Sequence, residues 1–195
     1  MAQQLINNGT TAGDGTGEVL FNAFDKTNDN FTELYKVSGW GNYAQSVATT
    51  QTITSTASKL IIDGGGASSN SSYLPLEIRG VSELWDTINN KITPIAIGDA
   101  YTMRIDFEIT GKTGSPNGLD FLLDIGGGAT PTNVFISRVI SSLKATPYRI
   151  SVAFPFYSLS DFKTNGGQIF LKTDTGTLAI TSRMISIHRI SSGTI

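Results

Sequence analysis

Residues 101–110, YTMRIDFEIT, decide the fold. Met103, Ile105, Phe107 and Ile109 point one way, while Arg104, Asp106 and Glu108 point the other. A period of two is the mark of a strand with one face buried. Downstream, Leu119–Ile125 follows a Gly/Pro/Asn turn and is expected to be the hairpin partner of this strand. Further candidates are Gln51–Thr56, Lys59–Asp63, Val134–Ile140, Tyr148–Phe156, Gln168–Thr173, Thr177–Thr181 and Met184–Ile190. Turn clusters at Gly64–Gly66, Gly126–Gly128 and Asn165–Gly167 punctuate them, and 63–72 reads as an exposed low-complexity loop. Roughly eight or nine short strands in about 150 residues predict a β-sandwich or jelly roll over 44–195. Alternation assigns Ile105, Phe107, Leu119, Phe121, Ile150, Val152, Phe154, Phe170 and Ile187 to its interior.

Upstream the period changes. In GTTAGDGTGEVLFNAFDKTNDNFTELY, residues 9–35, Leu20, Phe24, Thr27, Phe31 and Leu34 recur at spacings of 4, 3, 4 and 3. That is the a/d stripe of a coiled-coil helix, assigned to 18–36, with Thr16 as N-cap, Glu18 in the first turn, and Lys36 and Gly39 at the end. So short a helix is marginal alone in water, so the stripe needs other copies or a docking surface. Phe at two seam positions favours a core wider than a two-stranded coil. Residues 1–17 read as an extended, glycine-punctuated arm that cannot bury enough surface to fold by itself. Residues 37–43, VSGWGNY, read as a linker.

Composition narrows the function classes. Charged residues are 15% of the chain and net charge is −2, with no basic run, so nothing favours nucleic acid or anionic lipid. Ser, Thr, Asn and Gly supply 77 of the 195 residues, so hydroxyls and amides must cover much of the surface. Cysteine is absent. The start, MAQQLINN, lacks the basic and apolar regions of a signal peptide, and no apolar run approaches the ~20 residues of a membrane span. The expectation is a soluble chain made in a cytoplasm, with no membrane partner.

Candidate chemistry is sparse. GDGTG at 13–17 lacks the Lys of a phosphate-binding P-loop, and its glycines suit turns. Asp25, Thr27 and Asp29 imitate the start of a calcium loop, but Asn30 replaces the required Gly. Asp106, Glu108, Asp120 and Asp124 could pair on the expected hairpin as hydrolytic or cation-binding carboxylates. A solvated sheet face with Arg104 as counter-charge is the simpler account. His188, the single histidine, cannot build a His/Cys zinc site within one chain, although three copies could converge on an axis. No G-x-S-x-G elbow accompanies it. Trp40, Tyr43, Tyr73, Trp85, Tyr101 and Tyr157 could form sugar platforms but are better read as packing, with Trp40 and Tyr43 closing the helix–sandwich junction. The expectation is no catalytic site, no metal and no cofactor.

The phrase Ile6-Asn7, Gly9-Thr10, Asp14-Gly15-Thr16-Gly17, Leu20, Ala23-Phe24, Lys26, Asn28, Asn30-Phe31, Glu33-Leu34-Tyr35 resembles a recurring N-terminal module of tailed-bacteriophage virion proteins. Trp40-Gly-Asn-Tyr, Ile92-Thr-Pro, the run from Gly98 to Phe107, Phe154-Pro-Phe-Tyr and Gly166-Gly-Gln-Ile-Phe-Leu resemble the β-domain that often follows it. The resemblance implies a homotrimeric virion appendage, of head-fibre, decoration or tail-fibre type, assembled in a host cytoplasm. On it, 1–17 anchors to a major capsid, tail or baseplate protein through Ile6, Asn7, Gly9, Thr10 and Asp14–Gly17. The helix trimerises and a jelly roll projects. The alternative is a receptor- or glycan-binding module that contacts the host surface.

Overall fold

The strand centred on Ile105 runs from Ala100 to Thr113 and is the middle of the molecule. The computed structural model describes residues 5–10, 15–45, 49–63, 72–125, 133–140 and 147–193; the clusters at 64–66 and 126–128 lie outside them. In chain order the elements are α1 (Leu20–Val37), β1 (Gly39–Ala44), β2 (Gln51–Ile53), β3 (Ser58–Lys59), β4 (Trp85–Asp86) and β5 (Lys91–Ile92). There follow β6 (Ala100–Thr113), β7 (Gly118–Asp124), β8 (Asn133–Ile140), β9 (Tyr148–Tyr157), α2 (Ser160–Asn165), β10 (Gln168–Thr173) and β11 (Thr177–Ser191). The chain is mainly β, and every strand pairing is antiparallel.

Two sheets form a sandwich. Sheet A has the order β1-β11-β6-β9, with β2 also on β11; sheet B has the order β3-β10-β7-β8. The path after β5 is β6 in A, β7 and β8 in B, β9 in A, β10 in B and β11 in A, the alternation between sheets of a jelly roll. Facing rings close the interior: Phe107 of β6 and Phe121 of β7 stack 6.0 Å apart.

The expected hairpin of β6 with Leu119–Ile125 is therefore corrected. β6 pairs β9 and β11, whereas β7 pairs β8 and β10. The turn at 114–117 carries the chain across the sandwich, so the two apolar faces meet through their side chains rather than lying side by side. Hairpin and sheet-to-sheet turns share the same residue types, which is why the sequence did not separate them.

Of the expected interior, Ile105, Phe107, Leu119, Phe121, Ile150, Phe154 and Ile187 are buried, and Val152 packs against them partly buried. Phe170 is corrected. In β10 it is Ile169, Leu171 and Thr173 that face inward, leaving Phe170 half-buried on the outer face opposite Leu122. One residue of phase moves every side chain to the other face.

The linker is also corrected. Gly39–Ala44 is an edge strand on β11, from Gly39 opposite Arg189 to Ala44 opposite Met184. Its glycines serve close approach: a Cβ on Gly39 would lie 2.3 Å from the Pro75 nitrogen. The two expected strands 177–181 and 184–190 are one strand, irregular between Thr181 and Met184, where Ser182 has φ of 50°. That kink turns Arg183 inward. Its guanidinium donates to the carbonyls of Ile61 (2.8 Å), Thr49 (2.9 Å) and Ile180 (3.1 Å), and burial lowers its pKa.

Candidate assembly surfaces

The N-terminal phrase folds on itself. The Asn7 carbonyl accepts the Glu18 N–H at 2.8 Å, the Asn7 amide donates to the Thr16 carbonyl at 3.0 Å, and the Gly9 N–H donates to Asn7 Oδ1 at 3.0 Å. Thr16 Oγ1 accepts the Thr10 N–H at 3.3 Å. Gly17 suits this close approach, since a Cβ there would sit a tight 3.3 Å from the backbone of Asn7, Asn8 and Gly9. Lys26, two turns into α1, pairs with Glu18 and donates to the Leu5 carbonyl at 3.1 Å. The expected extended arm is thus a loop fastened to the start of the helix. Ile6 is exposed between the fastened Leu5 and Asn7, Gly15 has φ of 72°, and Asp14 lies outside the described residues.

Thr16 is not the N-cap. The helix starts at Leu20, its N-cap is Val19, and no side chain caps it. Thr16 and Glu18 are occupied by the loop instead. The Lys26 ammonium holds the Glu18 carboxyl below its ordinary pKa, with help from the Asn7 N–H.

On α1, Leu20, Phe24 and Phe31 are 70%, 60% and 57% exposed. Thr27 returns its hydroxyl to the Ala23 carbonyl at 2.8 Å, which satisfies the one polar seam position within the helix. The side chain of Leu34 lies outside the described ones. Phe21 and Val19 are exposed beside the stripe. Asp25 and Asp29 stand exposed along the helix, so they and Thr27 do not wrap a cation site.

The four β-domain carboxylates do not meet. Asp106 and Glu108 lie on the outer face of sheet A, where Arg104 donates to Asp106 at 2.7 Å. Asp120 and Asp124 lie on the outer face of sheet B and are buried rather than solvated. The Arg138 guanidinium, 2.5 Å away, holds Asp120 below its ordinary pKa. The two pairs stand on opposite outer faces of the sandwich, and in each pair one carboxylate is tied to an arginine, Asp106 to Arg104 and Asp120 to Arg138.

The aromatics divide into two sets. Tyr43, Trp85 and Tyr101 are buried. The Tyr43 hydroxyl donates to Glu83 at 2.8 Å and accepts the Leu84 N–H at 2.9 Å; burial and then the Glu83 carboxylate push its pKa far up. Tyr43 therefore belongs to the core, not to the helix junction. Trp40, three residues beyond the end of α1, stacks on Tyr73 at 4.7 Å and on the exposed His188 at 6.0 Å. Tyr73 and Tyr157 are exposed. Sequence reasoning missed the outer face of sheet A between these rings, a shallow depression of about 370 Å³ lined by Thr102, Arg104, Ala153, Ser186, His188 and Ile190. The outward phase of YTMRIDFEIT and of Tyr148–Tyr157 was the signal available for it.

Among the described residues no three His, Asp or Glu side chains gather as metal ligands, and no helix is long and apolar enough to cross a membrane.

No protein-family model matches the chain, and no curated protein matches it. Among solved structures it is similar to Eiger TNF from S. frugiperda, with TM-score 0.49 and 8% identity over 81% of this chain and 96% of that one. It is also similar to the PRD1 vertex protein P5, with TM-score 0.39 and 14% identity over 79% of this chain and 72% of that one.

Proposed function

We propose that this chain is a structural component of a tailed-phage virion, a homotrimeric appendage of fibre or decoration type that performs no catalysis. The observation that carries the proposal is the apolar stripe of α1, exposed at Leu20, Phe24 and Phe31 and joined to the sandwich by Ser38. A helix in water draws most of its stability from packing an amphipathic face, so this eighteen-residue helix gains by having its stripe covered. The resemblance of residues 6–35 to a phage virion module supplies the biological setting and the number three. The fastened loop 5–18 is then the plug that meets a capsid, tail or baseplate protein. Light scattering on the purified chain should give about three times the 20.8 kDa chain mass, and immunogold labelling should mark intact virions. A persistent monomer together with unlabelled particles overturns the reading.

A second reading, host-glycan binding, is favoured by the pole of the sandwich opposite α1. β6 ends there and β11 begins there, and the turns 114–117 and 174–176 present Ser115, Asn117 and Thr175. Binding on a glycan array that is lost on changing these turns would support it, and the trimer would stand in either case.

A further inference from the structure

We infer that the half of the outer face of sheet A nearest α1 is a contact surface for a second copy of this chain, so that the β-domains, and not the helices alone, hold the assembly together. The inference rests on the trimer proposed above and names where its subunits touch.

Register places the surface. Gly39, two residues beyond α1, pairs Arg189; Ala100 pairs both Ser191 and Tyr157. The end of the helix, the end of β11, the start of β6 and the end of β9 therefore share one pole. Copies joined along α1 must bring these edges of sheet A together, because Ser38 alone separates helix from sheet.

The composition of that half-face fits such a contact. The rows nearest the helix present Trp40, His188, Ile190, Thr102, Pro155 and Tyr157 outward, and none of these is Asp, Glu, Lys or Arg. Tyr157 is 66% and Ile190 59% exposed, so both offer apolar area to a neighbour. Beside them Thr102, Ala153 and Ser186 form a low floor, with Arg104 along its far edge, a recess able to receive a side chain from a neighbour. Charge begins at Arg104, which lies opposite Ala153 and Ser186 at the edge of the recess and is paired to Asp106, and continues with Glu108 opposite Arg149. Interface cores are depleted of charge and enriched in aromatics. Around a threefold axis the requirement is sharper, since every charge is repeated three times and like charges meet. A capsid partner would impose no such rule on this half-face, and nothing else in the fold calls for the change in character halfway along β6 and β9.

The chain has no cysteine, so one introduced thiol is unique. Tyr157→Cys probes the near half and Arg149→Cys the far half of the same strand, both at exposed positions. In full-length native protein, Arg149→Cys should react promptly with a maleimide. Tyr157→Cys should stay protected until denaturant separates the copies. Ile190→Glu should keep the wild-type circular dichroism but lose the three-chain mass at dilutions the wild type withstands. If Tyr157→Cys labels as fast as Arg149→Cys in particles of three-chain mass, or Ile190→Glu leaves assembly unchanged, the surface is free and the inference falls while the trimer stands. A monomeric wild type overturns both together.

Discussion

Arg189 Nη2 donates to Asp99 Oδ1 at 2.9 Å, and the two side chains are 1% and 0% exposed. The pair fastens the end of β11 to the loop that precedes β6. Arg189 also meets Glu77 at 2.5 Å, and Asp99 accepts from the Tyr101 hydroxyl at 2.7 Å and from the N–H groups of Ala96 (3.0 Å) and Gly193 (2.9 Å). Burial alone would lower the Arg189 pKa, but the bonds to Asp99 and Glu77 outweigh it and raise it. Asp99→Ala leaves a buried guanidinium without its main partner, so it should cost about 3–5 kcal/mol. Thermal unfolding of the variant against wild type checks this. Glu77→Gln, at the half-exposed end of the network, should cost much less.

Phe107→Ala should cost about 3–5 kcal/mol, because the ring fills the space between the sheets and stacks on Phe121. Phe170→Ala should cost less than half as much, since that ring lies half-buried on the outer face of sheet B. Urea melts of the two variants compare them directly. Equal losses would mean that the phase of β10 is wrong.

These two phenylalanines also show how far the sequence could be read. Where polar residues alternate with apolar ones, as in YTMRIDFEIT, the period names the buried face without help. In QIFLKT three apolar residues run together, and the phase is set by cross-strand partners that one segment does not contain. The same holds for pairing: alternation finds β6 and β7 but cannot say that they belong to different sheets. The hairpin β4–β5 and the short helix α2 escaped because each is held from outside, Trp85 by its bond to the Ile62 carbonyl at 3.3 Å and Phe162 by its contact with Phe156. At the N-terminus the residue types were legible and their roles were not. Thr16 and Glu18 have the composition of a helix cap, yet the Asn7 loop competes for them and wins.

Acid should open that loop. The folded Glu18 carboxyl lies below its ordinary pKa of 4.5, so its ion pair with Lys26 contributes fully above that value and is lost as pH falls through the lower folded value. The pair is partly exposed, so the effect should be local rather than global. Amide exchange at Glu18, whose N–H bonds the Asn7 carbonyl, should be protected at pH 6 and lose that protection as pH falls through the lowered carboxyl pKa. Glu18→Gln should show the low protection at both.

Phe24→Asp combined with Phe31→Asp should weaken assembly, by setting charges in an apolar seam where each is repeated in every copy. Both side chains are more than half exposed in the single chain, so its sandwich should melt as before once dissociated. Sedimentation over a range of concentrations reads the shift toward smaller mass. A helix that only decorates the surface would give no shift.

The direction proposed for the appendage rests on where the loop is fastened. Among the described residues, the bonds of Asn7, Gly9 and Glu18 run within 5–18 and to Lys26, which ties the loop to the helix. Deleting residues 1–17 removes Asn7, Gly9, Thr10, Thr16 and Gly17 at once, while leaving Trp40, the Asp99–Arg189 pair and the interior untouched. The truncated chain should keep the melting temperature of the β-domain and lose incorporation into particles. Asn7→Ala removes two of the bonds without shortening the chain, so it should reduce incorporation while leaving the three-chain mass intact. Truncated protein that decorates particles at full occupancy would place the anchor in the sandwich, and the pole carrying the turns 114–117 and 174–176 would then be the one that faces the virion.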